Sequence, residues 1–153
     1  MTDFTPRDPD FARRVRESFD RQRVMRLLGA ELTKVEPGLV EIELPYRREL
    51  SQQHGFFHAG VIGTIADSAG GYSAYTLMPA GASVLTVEYK LSFLSPAGGE
   101  RVVAQGRVTK PGRTLTFCEL DVAVVKNGKA KPCARGLQTV ICLQGRTVGS
   151  GPG

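Results

Sequence analysis

The chain has 153 residues, 41% of them hydrophobic, which suits one compact domain with a buried core. Its formal net charge of +5 comes from 20 basic and 15 acidic side chains that are dispersed, with none of the basic blocks that follow a nucleic acid. No stretch approaches the roughly 20 uninterrupted apolar residues of a membrane helix, and the N-terminal MTDFTPRDPD has neither the apolar centre of a secretory signal nor the acid-poor character of a transit peptide; the expected location is the cytosol.

From about Pro9 to Leu28, the apolar residues Phe11, Val15, Phe19, Val24, Leu27 and Leu28 recur at helical spacing among charges, and Gly29 follows as a stop. Residues 1–28 are therefore expected to form an N-terminal helical extension. Its seven arginines between Arg7 and Arg26 stand against four acids, a mixed solvated face rather than a DNA-binding stripe. Glu31 to Val35 and Leu39 to Leu44 then read as a hairpin about the turn Glu36-Pro37-Gly38. After a polar loop, Val61, Ile62, Ile65, Ala66, Ala69 and Ala74 predict a helix from Ala59 to about Leu77, ended by Pro79 and Gly81. Four long strands follow, Ser83–Leu94, Arg101–Val108, Thr114–Val125 and Lys131–Leu143, and the glycine-rich tail 145–153 is expected to be disordered. Without βαβ alternation this order predicts an α+β fold, one antiparallel sheet packed on a long helix, in a domain spanning 29–144. In the first of these four strands Leu85, Val87, Tyr89, Leu91 and Phe93 share one face, the expected core face, and Thr86, Glu88, Lys90 and Ser92 the other. Cys118, Cys133 and Cys142 lack paired metal or redox spacing and read as buried reduced thiols.

The long helix is unusual in composition. Gly60, Gly63, Gly70 and Gly71 each cost about 1 kcal/mol relative to alanine in a helix interior, so either a tightly wrapped sheet or a twin helix approaches closely, or the segment is a loop. Asp67 lies among Ile65, Ala66 and Ala69, where an acid needs a partner or a purpose. From the segment alone it either faces solvent, bonds Thr64 or Ser68, or serves chemistry. His58 is a capping or packing residue on its own showing, and His54 has no evident chemical role.

HAGVIGTIADSA (58–69), TVEYKLSFLSPA (86–97) and KPGRTL (110–115), in that order, resemble the hotdog-fold acyl-CoA thioesterases, in particular the branch that includes the phenylacetate-pathway (PaaI-like) enzymes. The likeness runs from about Leu28 to Leu143. It implies an antiparallel sheet wrapped around a long central helix, and hydrolysis of an acyl-CoA, aromatic or of medium chain, to a free acid and coenzyme A without metal or redox cofactor. By resemblance Asp67, nine residues after His58, is the nucleophile or general base. The Ala59 N–H is the oxyanion donor, with the motif's second glycine retained as Gly60. Gln52 would bond the thioester carbonyl or the attacking water, and Thr86 would hold that water or the carboxylate. This chain departs from the family's pattern in having Ala59 for the first glycine of the histidine motif and in combining Gln52 with Asp67, which mixes two sub-patterns of the family.

Ala59 and Asp67 are eight residues apart, about 12 Å along one helix, while both must reach one carbonyl group. Two antiparallel copies of the helix solve this, so a homodimer with two shared sites is expected, and the resemblance extends it to a homotetramer. Lys110 and Arg113 are the first candidates for the coenzyme phosphates, followed by Arg47 and Arg48. Phe56, Phe57, Tyr72 and Tyr75 are candidates for an acyl pocket, though packing accounts for them equally well. A hydratase or dehydratase is disfavoured because no histidine follows Asp67. A non-catalytic acyl-CoA-binding protein is the remaining alternative, against which the retained acid argues.

Overall fold

The computed structural model describes residues 3–145 and 148–149. The tail expected to be disordered lies outside the described residues except for Gly145, Val148 and Gly149. The elements are α1 (Phe11–Arg21), α2 (Arg23–Leu28), β1 (Glu31–Glu36), β2 (Leu39–Pro45), a short 3-10 turn (Arg48–Leu50), α3 (Ala59–Tyr75), β3 (Ser83–Phe93), β4 (Arg101–Lys110), β5 (Leu115–Lys126) and β6 (Lys129–Leu143). The six strands form one antiparallel sheet in the order β1-β2-β4-β5-β6-β3.

Alternation writes the core directly. Val40, Ile42 and Leu44 of β2, Val102, Ala104 and Val108 of β4, and Cys118, Leu120, Val122 and Val124 of β5 are buried, and Ile62, Ile65, Ala66 and Ala69 of α3 belong to the same cluster. Two of the α3 glycines, Gly63 and Gly70, are explained by this sheet. A Cβ on Gly70 would overlap Gln138 and Leu120, one on Gly63 would lie 3.1 Å from the Tyr89 hydroxyl, and one on Gly106 of β4 would strike the backbone at Ala69 and Gly70. The sheet and helix therefore approach to a distance that only hydrogen side chains permit.

The N-terminal extension is two helices where one was expected. Gln22 has φ −71° and ψ 101°, an extended residue between α1 and α2, although glutamine is a good helix former. The reason is tertiary: its side chain accepts a hydrogen bond from Ser68 and donates one to Tyr72. Gly29 ends α2 with φ 77°, the left-handed stop the sequence predicts.

Strand β3 corrects a second expectation. Leu85, Val87, Tyr89 and Phe93 are exposed rather than core, and only Leu91 of the five packs, partly buried, against the core of the sheet whose edge β3 forms. The facing also changes midway: Thr86 pairs with Val140 and Glu88 with Thr139, so Val87 is an extra, unpaired residue. That bulge lets Thr86 and Tyr89, three residues apart, both reach α3.

Candidate active site

Helix α3 places two clusters at different heights. At its N-terminus His58 is the cap, its Nδ1 accepting from the Gly60 N–H at 2.9 Å. With that donor engaged, the Ala59 N–H has no acceptor among the described residues, and Ala59 is exposed. It points from the positive end of a 17-residue helix. Gln52 shares a cleft of about 520 Å³ with Ala59, Phe56, Phe57 and Phe93. Its Oε1 accepts from the His54 N–H, and its amide N–H groups are unpartnered among the described residues. Phe57 is buried, edge-to-face on Tyr46, and touches this cleft only as part of the core wall, whereas Phe56 is exposed.

Two turns further along, half-buried Asp67 is held from the sheet. Thr86 Oγ1 donates to Asp67 Oδ1 at 2.6 Å, and Gln138 Nε2 donates to the same oxygen at 2.6 Å. Gln138 Nε2 also lies 3.1 Å from Thr86 Oγ1 and from the Asp67 carbonyl. Neither Thr64, bonded to the Gly60 carbonyl, nor Ser68, bonded to Gln22, is Asp67's partner. Oδ2 has none among the described residues, so one carboxylate oxygen is fixed and the other is free. A cleft of about 330 Å³ opens beside it, lined by Thr86, Ser68, Gly71, Tyr72, Gln22 and Ser18.

Gln138 is the site residue that sequence reasoning missed. It is 2% exposed in the middle of β6, with its Oε1 unpartnered among the described residues. A polar residue at an inward-facing position between Val140 and Gly136 was the available signal. Lys110 and Arg113 are not brought to either cluster: Lys110 is exposed at the end of β4 and Arg113 is exposed on the β4–β5 connection, in a separate cleft with Arg7, Leu77 and Pro79. Arg47 is committed to the Leu27 and Leu28 carbonyls at the end of α2. Tyr75 is core and receives Arg14 over its ring. Among the described residues no group of three or more His, Cys, Asp or Glu side chains is placed to hold a metal ion.

Residues 54–131 match the family model of the thioesterase superfamily. Human acyl-coenzyme A thioesterase 13 is 31% identical over 106 residues, covering 68% of this chain and 75% of that protein. A crystal structure of a thioesterase family protein from Silicibacter pomeroyi superimposes with a TM-score of 0.87 at 47% identity, over 88% of this chain and 99% of that one. The PaaI protein of the E. coli phenylacetic acid degradation operon shares the fold, with a TM-score of 0.79 at 15% identity, over 89% and 95%. With a matched family model over half its length and a helix-wrapping sheet of that architecture, the chain belongs to the thioesterase superfamily.

Proposed function

We propose that the chain is an acyl-CoA thioesterase, an expected resident of the cytosol, that works as a homodimer with Asp67 of one chain facing the Ala59 N–H of the other. The observation that carries this reading is the pair of half-sites on one 17-residue helix. Among the described residues one holds a free backbone donor and an unpartnered amide, the other a carboxylate with one free oxygen, and about 12 Å separates them along α3. The edge strand β3, with Leu85, Val87, Tyr89 and Phe93 exposed, supports a second copy covering that side. A pairing of such dimers into a homotetramer goes with the same assignment.

Hydrolysis then proceeds as follows. The thioester carbonyl oxygen accepts from the Ala59 N–H and the Gln52 amide, which stabilise it as it becomes negative. The Asp67 Oδ2 removes a proton from water as that oxygen bonds the carbonyl carbon, or bonds the carbon itself to give an anhydride that water opens. In both cases the carbon–sulfur bond breaks; the leaving sulfur takes the proton that Asp67 removed from water in the first route, or a proton from solvent water in the second, and coenzyme A departs as the thiol. Gly60 and Phe57 shape the cleft at the helix start, and His58 keeps Ala59 as the donor left over. No metal or redox cofactor is required; coenzyme A arrives as part of the substrate.

The test is thiol release from phenylacetyl-, benzoyl- and straight-chain acyl-CoAs by the protein and by Asp67→Asn. We expect turnover that falls by about 10²–10⁴-fold in the variant. A folded protein that binds these thioesters and hydrolyses none would instead be the non-catalytic acyl-CoA-binding alternative.

A further inference from the structure

The seven arginines and four acids between Arg7 and Arg26 are paired unevenly in the structure. Asp8 is bound to Arg14, and Asp10 and Glu17 are both bound to Arg13. Arg16, Arg21, Arg23 and Arg26 are exposed and make no ion pair among the described residues, and Asp20 is the one acid of the segment left without one. Charge that is mixed in the sequence is therefore cationic on this surface. Helix α2 adds an apolar apex to it. Met25 is 1% exposed and anchors the helix in the core, while Leu27, two residues and about 200° further round, is 74% exposed. Arg23 and Val24 flank Leu27 from one turn before it, Arg26 adjoins it, and Val24 is exposed as well. Arg47 binds the Leu27 and Leu28 carbonyls, which fixes this end of the helix.

We propose that this face of α2, Leu27 and Val24 beside Arg23 and Arg26, docks the protein on an anionic lipid surface. Charge decides between occupants. A second copy seated there about a two-fold axis would bring Arg23 and Arg26 of both chains together, like charge against like. An anionic bilayer offers the complement: the guanidinium groups meet lipid phosphates, and a leucine protruding from a convex helix enters between the headgroups. No described helix is long and apolar enough to cross a membrane, so the contact is peripheral. Its consequence for catalysis rests on the thioesterase reading, whereas the docking does not. Arg23 directly follows Gln22, which lines the cleft beside Asp67, so a docked protein holds that cleft next to the surface into which long acyl chains partition.

The experiment is co-sedimentation of the full chain, Arg23→Gln and Leu27→Ser with vesicles of phosphatidylcholine alone and of phosphatidylcholine mixed equally with phosphatidylglycerol. The unaltered protein should bind the mixed vesicles about tenfold or more tighter than the neutral ones, and less tightly as salt is raised. Arg23→Gln should weaken that binding about fivefold, and Leu27→Ser should weaken it as well. Both variants should melt as the unaltered protein does and hydrolyse phenylacetyl-CoA in solution as before, while hydrolysis of palmitoyl-CoA held in the mixed vesicles falls with the binding. No preference for the anionic vesicles, or binding unmoved in the folded variants, overturns the docking face. Tighter retention on polyglutamate than on the mixed vesicles, lost in Arg23→Gln and kept in Leu27→Ser, assigns the face to an acidic protein and overturns it likewise. Vesicle binding with no hydrolysis of any thioester would leave the docking standing and sink the thioesterase reading instead.

Discussion

Asp67 Oδ1 takes two donors from the sheet while Oδ2 takes none among the described residues, so the orientation of the carboxylate depends on Thr86 and Gln138. Gln138→Leu separates positioning from packing. It removes a donor to Asp67 together with a buried, unpartnered Oε1, whose desolvation costs about 1–3 kcal/mol. We expect kcat to fall by about tenfold or more, a smaller effect than losing the acid itself, with little change in KM and no loss of melting temperature. A drop in melting temperature alone would make Gln138 a packing residue. Cys118 offers a second check at this scale, since burial pushes its thiol up to about 11 from the ordinary 9.0, opposed by a hydrogen bond from Ser73. A raised folded value means that the neutral thiol stabilises the fold below about pH 9, and that this contribution is lost as pH rises toward 11. Denaturant midpoints should therefore decline over that window, and less steeply in Cys118→Ala when each is referred to its own value at pH 8.

At the scale of elements, α3 carries glycines of two kinds. Gly70 faces Gln138 and Leu120 at overlap distance, so Gly70→Ala should cost about 1–3 kcal/mol through overpacking. Gly71 faces open space, and Gly71→Ala should stabilise the helix by up to about 1 kcal/mol while narrowing the cleft beside Asp67. Thermal unfolding of the two variants should move in opposite directions. Periodicity and the stop signals at Gly29 and Pro79 made the elements themselves legible, and LVEIEL alternates in the structure as in the sequence. Two features were not legible, and both answer to side chains distant in sequence. Gln22 leaves the helix for Tyr72 and Ser68, 50 and 46 residues away. Val87 bulges out of β3, which turns Thr86 toward Asp67. Strict alternation had placed Thr86 with the outward polar residues.

For the whole molecule, the decisive prediction is complementation between chains. Asp67→Asn and Gln52→Ala proteins, each of low activity, should recover about a quarter of the native rate when unfolded together and refolded as a random mixture, because half the dimers then contain one intact site of two. Gln52 and Asp67 lie in different clefts of the single chain, and that separation makes the test possible. No recovery from properly mixed dimers would mean that each chain's site is complete in itself.

By itself the sequence determined the order of the strands and the long helix, the antiparallel α+β class and the acid in the glycine-rich helix. These are written in local spacing, which hydrophobic burial and helix geometry translate directly. Only the tertiary structure decided which groups hold Asp67, that Gln138 is among them, and that Lys110 and Arg113 lie away from both half-sites. It also decided which glycines face the sheet and which leave a cleft open. Such facts depend on strand register, a single bulge and one interrupted helix, each set by contacts between residues tens of positions apart, which no local pattern encodes.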